Sequence, residues 1–523
     1  MNTRRSSESR RLHLPITAMI LNVAQSDPEQ LALVGARDRL TYSGLVEDSR
    51  SMFAIVDELH RTQPLPPTPA PETDNIPITA ISTTSAYDTS RIIAGLAGYR
   101  AVSATIDPRW PLNHQLGVIR TTGIGVVISD SPALAEALAA SGWTGTVISL
   151  TDFRARQAAA LPAPAPAVRD GNEPFLMLFS SGTTSNPKAF IKTRQQYREN
   201  VAVSSAHLGP LPGVATLAPG PVSYSLTLYA VIESLAIGGS VHLADEFDPI
   251  TMGSRIAAEE ITRVVAVPAV VRALAEAARR DSERFAFVDL VVTGGANLPA
   301  SIRDRLGEIL PAARLISYYG AAEIGFIGDS RDGDGTWIHV YPSIGAQIRD
   351  DSGAELPEGE LGTLWIRAAA CSYGYVTGTT EAVLRGADGW ATVDDQGRVV
   401  NGMLQLAGRA GDIAITGGHK VSLPEVERAF ETYDNLGEVC AIALDDPALG
   451  SIIVLVIEAS TDNADNADNA GKAALLNHAR ARLAPQFVPR RIYRLDRLPR
   501  TVGGKVRRTE TVDLIMDGQG QRL

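Results

Sequence analysis

The sequence predicts an α/β fold organised in two or three domains. At 523 residues the chain exceeds the size of one ordinary hydrophobic core. Short runs rich in Val and Ile, such as 76–82 and 287–295, alternate with amphipathic runs rich in Ala, Leu and Arg, such as 132–141 and 270–280. Apolar strands that alternate with helices are typical of mostly parallel sheets whose faces are covered by helices.

The sequence pattern changes twice in the second half of the chain. From about residue 335, short strands punctuated by glycine, as in 344–359 and 362–368, indicate a small antiparallel or barrel-like unit. After about residue 410 a further α/β segment begins. Loops or linkers are predicted from Pro-rich or polar composition at 61–77, 158–174 and 460–472.

Composition and charge exclude several classes of protein. The net charge of −11 argues against a nucleic-acid binder that relies on a broad basic surface. Cys371 and Cys440 form neither a disulfide framework nor a zinc motif, and two cysteines fit a reducing compartment. No run approaches the roughly 18 apolar residues that span a bilayer. We therefore expect a cytoplasmic protein with no membrane and no nucleic-acid partner.

The N-terminal 26 residues imitate a signal peptide, with a basic start followed by a short apolar stretch. His13 and Pro15 interrupt that stretch, and no A-x-A cleavage site follows it. We expect a disordered basic leader on a cytosolic protein.

The stretch FSSGTTSNPKAF, at 179–190, is a candidate phosphate loop. It follows an apolar strand and joins hydroxyl side chains and a glycine to a single cation, Lys188. Backbone N–H groups, hydroxyls and a lysine together bind phosphate oxygens, although no Walker A motif fits here. Taken alone, the stretch is more typical of a polar surface linker than of a phosphate loop.

Four further stretches carry residues suited to chemistry. They are 317–326 with Glu323, 389–397 with Asp394, 406–427 with Arg409, Asp412 and Gly417–Gly418, and 497–510 with Lys505. In this order and at these separations, the five stretches resemble the adenylate-forming superfamily. Its members include acyl-CoA synthetases, aryl-acid ligases, peptide-synthetase adenylation domains and beetle luciferases. The resemblance covers nearly the whole chain.

The resemblance implies a fold in more detail than the residue pattern does. Residues 1–409 would form a large N-terminal domain that binds ATP and the acid, built from two α/β subdomains with parallel-type sheets plus a small β-barrel. Residues 410–523 would form a small mobile α+β domain that carries the catalytic lysine.

The resemblance also implies roles for individual residues. Catalytic roles fall to Lys505, Glu323 and Lys188, and Glu323 is the implied ligand of Mg²⁺. The implied ATP-binding residues are Ser180, Ser181, Gly182, Thr183, Thr184, Gly294, Gly295, Ala296, Tyr319, Gly320, Asp394 and Arg409, with Asp394 on the ribose. This sequence departs from the family pattern at three positions: Ser185 and Ala189 replace glycines, and Ala322 replaces a threonine.

The implied acid pocket is formed by Ser223, Tyr224, Ser225, Gly320 and Ala321. Domains that activate α-amino acids place an aspartate where this chain has Ser225 or, with a two-residue offset, Ser223. A buried ammonium without a carboxylate is costly, so an α-amino acid is disfavoured. Val222 and Ser223 stand where dihydroxybenzoate ligases carry His-Asn. A neutral aryl, heteroaryl or aliphatic acid is expected.

The resemblance implies an AMP-forming ligase that makes an acyl-AMP, releases pyrophosphate and passes the acyl group to a thiol of coenzyme A or a carrier protein. The carrier would be a separate chain, because only a short tail follows Lys505. Gly411 stands at the family's hinge, where it removes a side-chain latch but keeps rotational freedom. That feature supports an alternative, in which an amine takes the acyl group directly. A luciferase-like oxygenation and a decayed nucleotide-binding protein are further alternatives.

Overall fold

The computed structural model describes residues 16–180, 187–296, 298, 300–330, 337–417, 419–433, 436–459, 471–501 and 504–523. The helices are α1 (Ile16–Ser26), α2 (Tyr42–Arg61), α3 (Ala86–Leu96), α4 (Leu112–Thr121), α5 (Pro132–Ala140), α6 (Leu150–Ala159), α7 (Arg194–His207), α8 (Ser225–Ile237), α9 (Pro249–Ala258), α10 (Pro268–Arg280), α11 (Ala300–Ile309), α12 (Leu423–Arg428), α13 (Lys472–Arg482) and α14 (Arg508–Met516).

The strands are β1 (Leu31–Val34), β2 (Arg39–Thr41), β3 (Ile78–Ser82), β4 (Val102–Thr105), β5 (Val126–Ser129), β6 (Thr146–Ile148), β7 (Pro174–Ser180), β8 (Lys188–Thr193), β9 (Ala215–Ala218), β10 (Ser240–Leu243), β11 (Arg263–Ala266), β12 (Leu290–Thr293), β13 (Arg314–Ala321), β14 (Gly325–Ser330), β15 (Trp337–Val340), β16 (Gly345–Arg349), β17 (Gly362–Arg367), β18 (Asp395–Val400), β19 (Met403–Arg409), β20 (Ile413–Thr416), β21 (His419–Ser422), β22 (Val439–Asp446), β23 (Gly450–Glu458), β24 (Arg491–Leu495) and β25 (Gln521–Arg522).

The first sheet has six strands in the order β6-β5-β3-β4-β7-β8. All its neighbours are parallel except β8, which pairs antiparallel with β7. In that hairpin Ser180 faces Lys188, so the two ends of the candidate phosphate loop lie side by side. The loop itself, with Ser181, Gly182, Thr183, Thr184 and Ser185, lies outside the described residues.

The second sheet has thirteen strands in the order β16-β17-β18-β19-β15-β14-β13-β12-β11-β9-β10-β1-β2. From β1 to β13 the neighbours are parallel, and from β13 to β16 they are antiparallel. The glycine-punctuated segment predicted from the sequence therefore continues this sheet. Since the carboxyl ends of parallel strands share one edge, β12 and β13 deliver Gly294 and Tyr319 to the same edge.

Helix α8 lies in the core between the two sheets. Every residue from Leu226 to Ile237 is buried, and the helix is accordingly apolar around most of its circumference, with Glu233 as its one charged side chain. One hydrophobic cluster joins Phe175 of the first sheet, Leu228 of α8 and Val292 of the second sheet. The segment just before α8, which holds the predicted pocket residues, is thereby fixed between the sheets.

The C-terminal part has its own hydrophobic core. Strands β22–β25 form a four-stranded sheet, and β20 and β21 pair as a hairpin. Val426 of α12, Leu455 of β23 and Leu475 of α13 pack together in a separate cluster. The architecture confirms the predicted fold class, while the exact domain boundary at residue 409 stays a prediction. None of the described helices is long and apolar enough to cross a membrane.

The second sheet contains a buried ion pair. The Arg263 guanidinium on β11 donates to Glu233 on α8 at 2.7 Å, and the two side chains are 2% and 4% exposed. It also donates to the carbonyl of Leu208 at 3.2 Å. Because removal of one partner leaves the other charge buried and unpaired, such pairs are expensive to break.

We therefore expect Arg263→Met to lower the free energy of unfolding by about 3–5 kcal/mol. Urea denaturation followed by tryptophan fluorescence measures the change. The control is Arg279→Met, which removes the guanidinium that pairs with Glu276 on the exposed face of α10. This control should leave the urea concentration at the midpoint of unfolding unchanged. Equal midpoints for Arg263→Met and the control would contradict the assignment.

Candidate active site

Tyr375 connects the ends of the candidate phosphate loop to Glu323. Its hydroxyl donates to Glu323 Oε1 at 3.1 Å and shares a hydrogen bond with Ser180 at the end of β7. The Lys188 ammonium, at the start of β8, lies 5.2 Å from the centre of the Tyr375 ring. Burial and the Glu323 charge raise the pKa of Tyr375, so it remains a donor at neutral pH. Sequence reasoning missed Tyr375.

Glu323 is held by its main chain as well as by its carboxylate. Its side chain is 5% exposed, and its backbone carbonyl accepts hydrogen bonds from Lys192 Nζ and from the Ser372 N–H, both at 2.8 Å. Glu323 therefore has a defined position directly after β13.

The residues around Glu323 fit one mode of Mg²⁺ binding. Among the described residues no group of three or more metal-ligating side chains occurs. Mg²⁺ is often held by one or two carboxylates, with water and substrate phosphates completing its octahedron. Glu323 supplies a single carboxylate, held in a fixed position beside the candidate phosphate loop, which matches that mode.

A second group of polar residues surrounds Asp395. The Tyr319 hydroxyl on β13 donates to Asp395 Oδ2 at 2.5 Å, and Arg409 Nε lies 3.4 Å from Asp395 Oδ1. Asp395 and Arg409 are also paired across β18 and β19. Burial raises the pKa of Asp395, whereas the Arg409 charge opposes that rise.

The structure separates two adjacent acids that the sequence could not distinguish. Asp394 is exposed and has a left-handed backbone with φ of 65°. Its side chain makes no hydrogen bond or ion pair with a described residue, whereas Asp395 contacts both Tyr319 and Arg409. Sequence reasoning named Asp394 and missed Asp395. Asp395 begins β18 whereas Asp394 lies just before it, and no pattern in the sequence distinguished the two acids.

The structure brings Lys505 to the Asp395 end of the site. Burial is the main cause that lowers the pKa of Lys505, and the positive charge of Arg409 adds to it. The negative charges of Asp395 and Asp412 oppose this shift. Some of its side chain remains exposed. The Lys505 backbone N–H donates to Thr501 Oγ1 at 3.1 Å, and its carbonyl accepts from the Thr501 N–H at 2.7 Å. These two hydrogen bonds fix the backbone of Lys505 relative to Thr501.

Two of the predicted glycines are required by close contacts. A Cβ atom at Gly294 would lie 2.5 Å from the ring of Tyr318, and one at Gly320 would lie 2.6 Å from the carbonyl oxygen of Gly325. Gly295 and Ala296 follow Gly294 as exposed residues of the same turn. The turn after β12 thus packs against the Tyr318 ring, and the end of β13 packs against the start of β14, with no room for a Cβ atom at either glycine.

The predicted pocket residues lie at the start of α8, beside an acid that the sequence did not reveal. Ser223 Oγ donates to Asp107 Oδ2 at 3.3 Å. Asp107 is buried, and its carboxylate accepts hydrogen bonds from Arg109 Nε at 2.9 Å and from a terminal nitrogen of Arg109 at 2.7 Å. Burial and Asp107 raise the pKa of Tyr224 to about 12. Ser225 begins α8, and Ala321 ends β13.

Two departures from the family pattern are accommodated. Ala189 is a regular, fully buried strand residue, and its carbonyl accepts from the Val376 N–H at 2.7 Å. The Ala322 carbonyl accepts from the Tyr229 hydroxyl at 2.9 Å. At Gly411, an added Cβ would meet open space, so this arrangement does not itself require glycine there.

Comparison with known proteins agrees with this geometry. The profile of the family described as AMP-binding enzyme matches residues 88–376, and that of the AMP-binding enzyme C-terminal domain matches 425–505. An uncharacterized acyl–CoA ligase of Bacillus subtilis (strain 168) is 25% identical over 506 residues, covering 95% of this chain and 97% of its own length.

Solved structures share the fold over nearly the whole chain. ATP-bound MatB from Rhodopseudomonas palustris superposes with a TM-score of 0.83 at 20% identity, covering 97% of this chain and all of its own. The amide bond synthetase McbA from Marinactinospora thermotolerans gives 0.79 at 23% identity, covering 95% and 99%. With the family match extending over more than half of its residues, the chain belongs to the AMP-binding enzymes, the adenylate-forming superfamily that its motifs predicted.

Proposed function

We propose that this protein is an AMP-forming ligase that joins a carboxylic acid to the thiol of coenzyme A or of a separate carrier protein. The observation that carries the proposal is that two clusters of polar and charged side chains lie at one site. Lys188, Tyr375 and Glu323 lie at the ends of the phosphate loop, and Asp395 lies with Arg409 and Lys505. Phosphates would contact the first group and the nucleoside the second.

In the first step, a carboxylate oxygen of the acid attacks the α-phosphorus of ATP, and the bond to the β-phosphate oxygen breaks. Acyl-AMP forms and pyrophosphate leaves. Negative charge gathers on the phosphate oxygens, where the Lys188 and Lys505 ammonium groups stabilise it. Glu323 would hold Mg²⁺, which supplies further positive charge to the phosphates when bound.

In the second step, the thiol sulfur attacks the acyl carbonyl carbon, and AMP leaves with the oxygen that came from the acid. The thiol proton passes to solvent or to a base. Because a thiolate attacks better than a thiol, deprotonation precedes or accompanies attack. We assign the reaction to the cytoplasm, where ATP and thiol acceptors are present and the free cysteines of this chain stay reduced.

The pocket favours an acid without an α-ammonium group. Ser223 and Ser225 are uncharged, and Asp107, the acid that Ser223 contacts, is already paired with the Arg109 guanidinium through two hydrogen bonds. Among the described residues, the start of α8 offers no unpaired carboxylate to a substrate ammonium, so a neutral aryl, heteroaryl or aliphatic acid fits better.

The alternative acceptor is an amine, which would attack the acyl-AMP and give an amide. Gly411 supports this alternative, because it supplies no side-chain latch for a second domain arrangement. The structural likeness to an amide bond synthetase also favours it.

Pyrophosphate release with a panel of carboxylic acids, with and without coenzyme A, tests the proposal. Acid-dependent release with formation of a CoA-thioester supports the first acceptor. Release without a thioester, followed by amide formation when amines are added, supports the alternative. An absence of release with every acid of the panel would contradict a ligase.

The contacts of Asp395 predict that its replacement changes the KM for ATP more than replacement of the neighbouring Asp394 does. If Asp395 binds the ribose hydroxyls, Asp395→Asn removes hydrogen bonds to a charged acceptor and raises the KM for ATP by about tenfold or more. Asp394→Asn, the matched control, should change that KM by less than about twofold. The reverse result would return the ribose role to Asp394.

Lys505→Ala should slow acyl-AMP formation by about 10²-fold or more, because it removes a cation from the transition state. Binding of a fluorescent ATP analogue should stay within about threefold of the wild-type value, since the other nucleotide contacts remain. Adenylation at the wild-type rate in single-turnover experiments would contradict this role.

The lowered pKa of Lys505 also predicts a pH dependence. The cation is present below its pKa and is lost as pH rises through that value. The adenylation rate should therefore decline on the alkaline side at a lower pH than an ordinary lysine, with a pKa of 10.5, would give. Lys505→Arg should move this decline to higher pH, because arginine keeps its charge. An unmoved decline would assign the titration to another group.

A further inference from the structure

Lys192 is a charged residue inside an apolar strand. It lies in β8 within the run AFIKT, and its side chain is only 1% exposed. It forms no ion pair with a described carboxylate. Its ammonium instead donates to two backbone carbonyls, those of Glu323 at 2.8 Å and Ala370 at 2.7 Å. The Phe190 ring lies 6.0 Å away.

An ammonium at this place is costly. A buried cation loses its hydration, and two neutral carbonyls replace it only partly. Burial accordingly lowers the pKa of Lys192 to about 8. A methionine or leucine would suit the buried strand at lower cost, so the stability of β8 does not explain the lysine. What Lys192 does explain is the position of the two segments whose carbonyls it binds.

Both of these segments carry residues of the site. Ala370 precedes the stretch that leads to Tyr375, and Tyr375 donates to the Glu323 carboxylate. The Ser372 N–H from the same stretch donates to the Glu323 carbonyl. Lys192 therefore ties Glu323 and the 370–375 segment to β8, the strand that begins with Lys188.

The way Lys192 binds leaves the Glu323 carboxylate available. The ammonium contacts the main-chain oxygen of Glu323, so it orients the residue without capping its charge. Among the described residues, only the Tyr375 hydroxyl donates to the carboxylate, and it does so at Oε1. A carboxylate anchored by its backbone and by one neutral hydrogen bond is well suited to accept a divalent cation.

We propose that Lys192 is a positioning residue that fixes Glu323 and Tyr375 for binding of the Mg²⁺·ATP complex. This inference rests on the proposed function, because it deepens the role of the same site. Lys192 acts through Glu323 and touches neither nucleotide nor acid. Partners that orient metal ligands in this way change metal affinity by about 10–100-fold when they are removed.

The test uses Lys192→Met in the full-length protein, which keeps the length and apolar stem but removes the donors. Mn²⁺ is the probe, and its binding is followed by electron paramagnetic resonance in the presence of α,β-methylene-ATP. We expect the Kd for Mn²⁺ to rise by about tenfold or more. The Mg²⁺ concentration for half-maximal pyrophosphate release should rise in parallel, while the KM for the acid changes less than about twofold.

Tyr42→Phe is the control. It removes a buried hydroxyl that donates to the Gly239 carbonyl at 2.7 Å, and both Lys192 contacts stay in place. This variant should lose some thermal stability without a change in Mn²⁺ affinity. A lower Tm in Lys192→Met with unchanged Mn²⁺ affinity would overturn the proposal, because Lys192 would then serve the fold alone.

Two further outcomes keep the test decisive. If Lys192→Met does not fold, Lys192→Gln is used, whose shorter amide keeps donor hydrogens, and its Mn²⁺ affinity should fall less than tenfold but measurably. An unchanged affinity in that folded variant would overturn the proposal. If the wild-type protein shows no acid-dependent turnover, the proposed ligase function fails. The Mn²⁺ titration with the ATP analogue still decides the role of Lys192.

Discussion

The hydrogen bond from Tyr375 to Glu323 helps to join the first and second sheets at the candidate active site. Lys188 and Ser180 belong to the hairpin that ends the first sheet, whereas Glu323 follows β13 of the second sheet. The sheets are held in place by the fully buried helix α8, so the distance between their edges is set by core packing. Tyr375 and Lys192 bridge that distance with polar contacts, because neither sheet alone supplies both the loop cation and the acid.

Some charges of the site have an ionic partner, and others have none among the described residues. Asp395 has Arg409 and the Tyr319 hydroxyl, and Asp107 has Arg109. Glu323 receives only one neutral hydrogen bond at its carboxylate from the described residues. Burial and then the Arg409 charge lower the pKa of Lys505, although the residue stays partly exposed to solvent. A phosphate anion is the natural partner for such a cation.

The sequence predicted the elements with strong periodicity and the residues that stand in local motifs. The apolar runs that indicated β3 and β12 belong to buried parallel strands, in which apolar residues are continuous. Lys188, Glu323 and Lys505 follow such strands or lie in glycine-rich turns. Tyr375, Asp395 and Asp107 were missed because their contacts are long-range. Tyr375 lies 52 residues from Glu323, Asp395 lies 76 from Tyr319, and Asp107 lies 116 from Ser223.

Transfer of an isotopic label tests the central claim most directly. The protein is given ATP, a thiol or amine acceptor and a carboxylic acid that carries ¹⁸O at both carboxyl oxygens, and the products are analysed by mass spectrometry. If the carboxylate attacks the α-phosphorus, AMP must gain one ¹⁸O atom for each acyl group transferred, and pyrophosphate must gain none. Label in pyrophosphate or inorganic phosphate, or unlabelled AMP accompanying acyl transfer, would contradict the formation of an acyl-adenylate at this site.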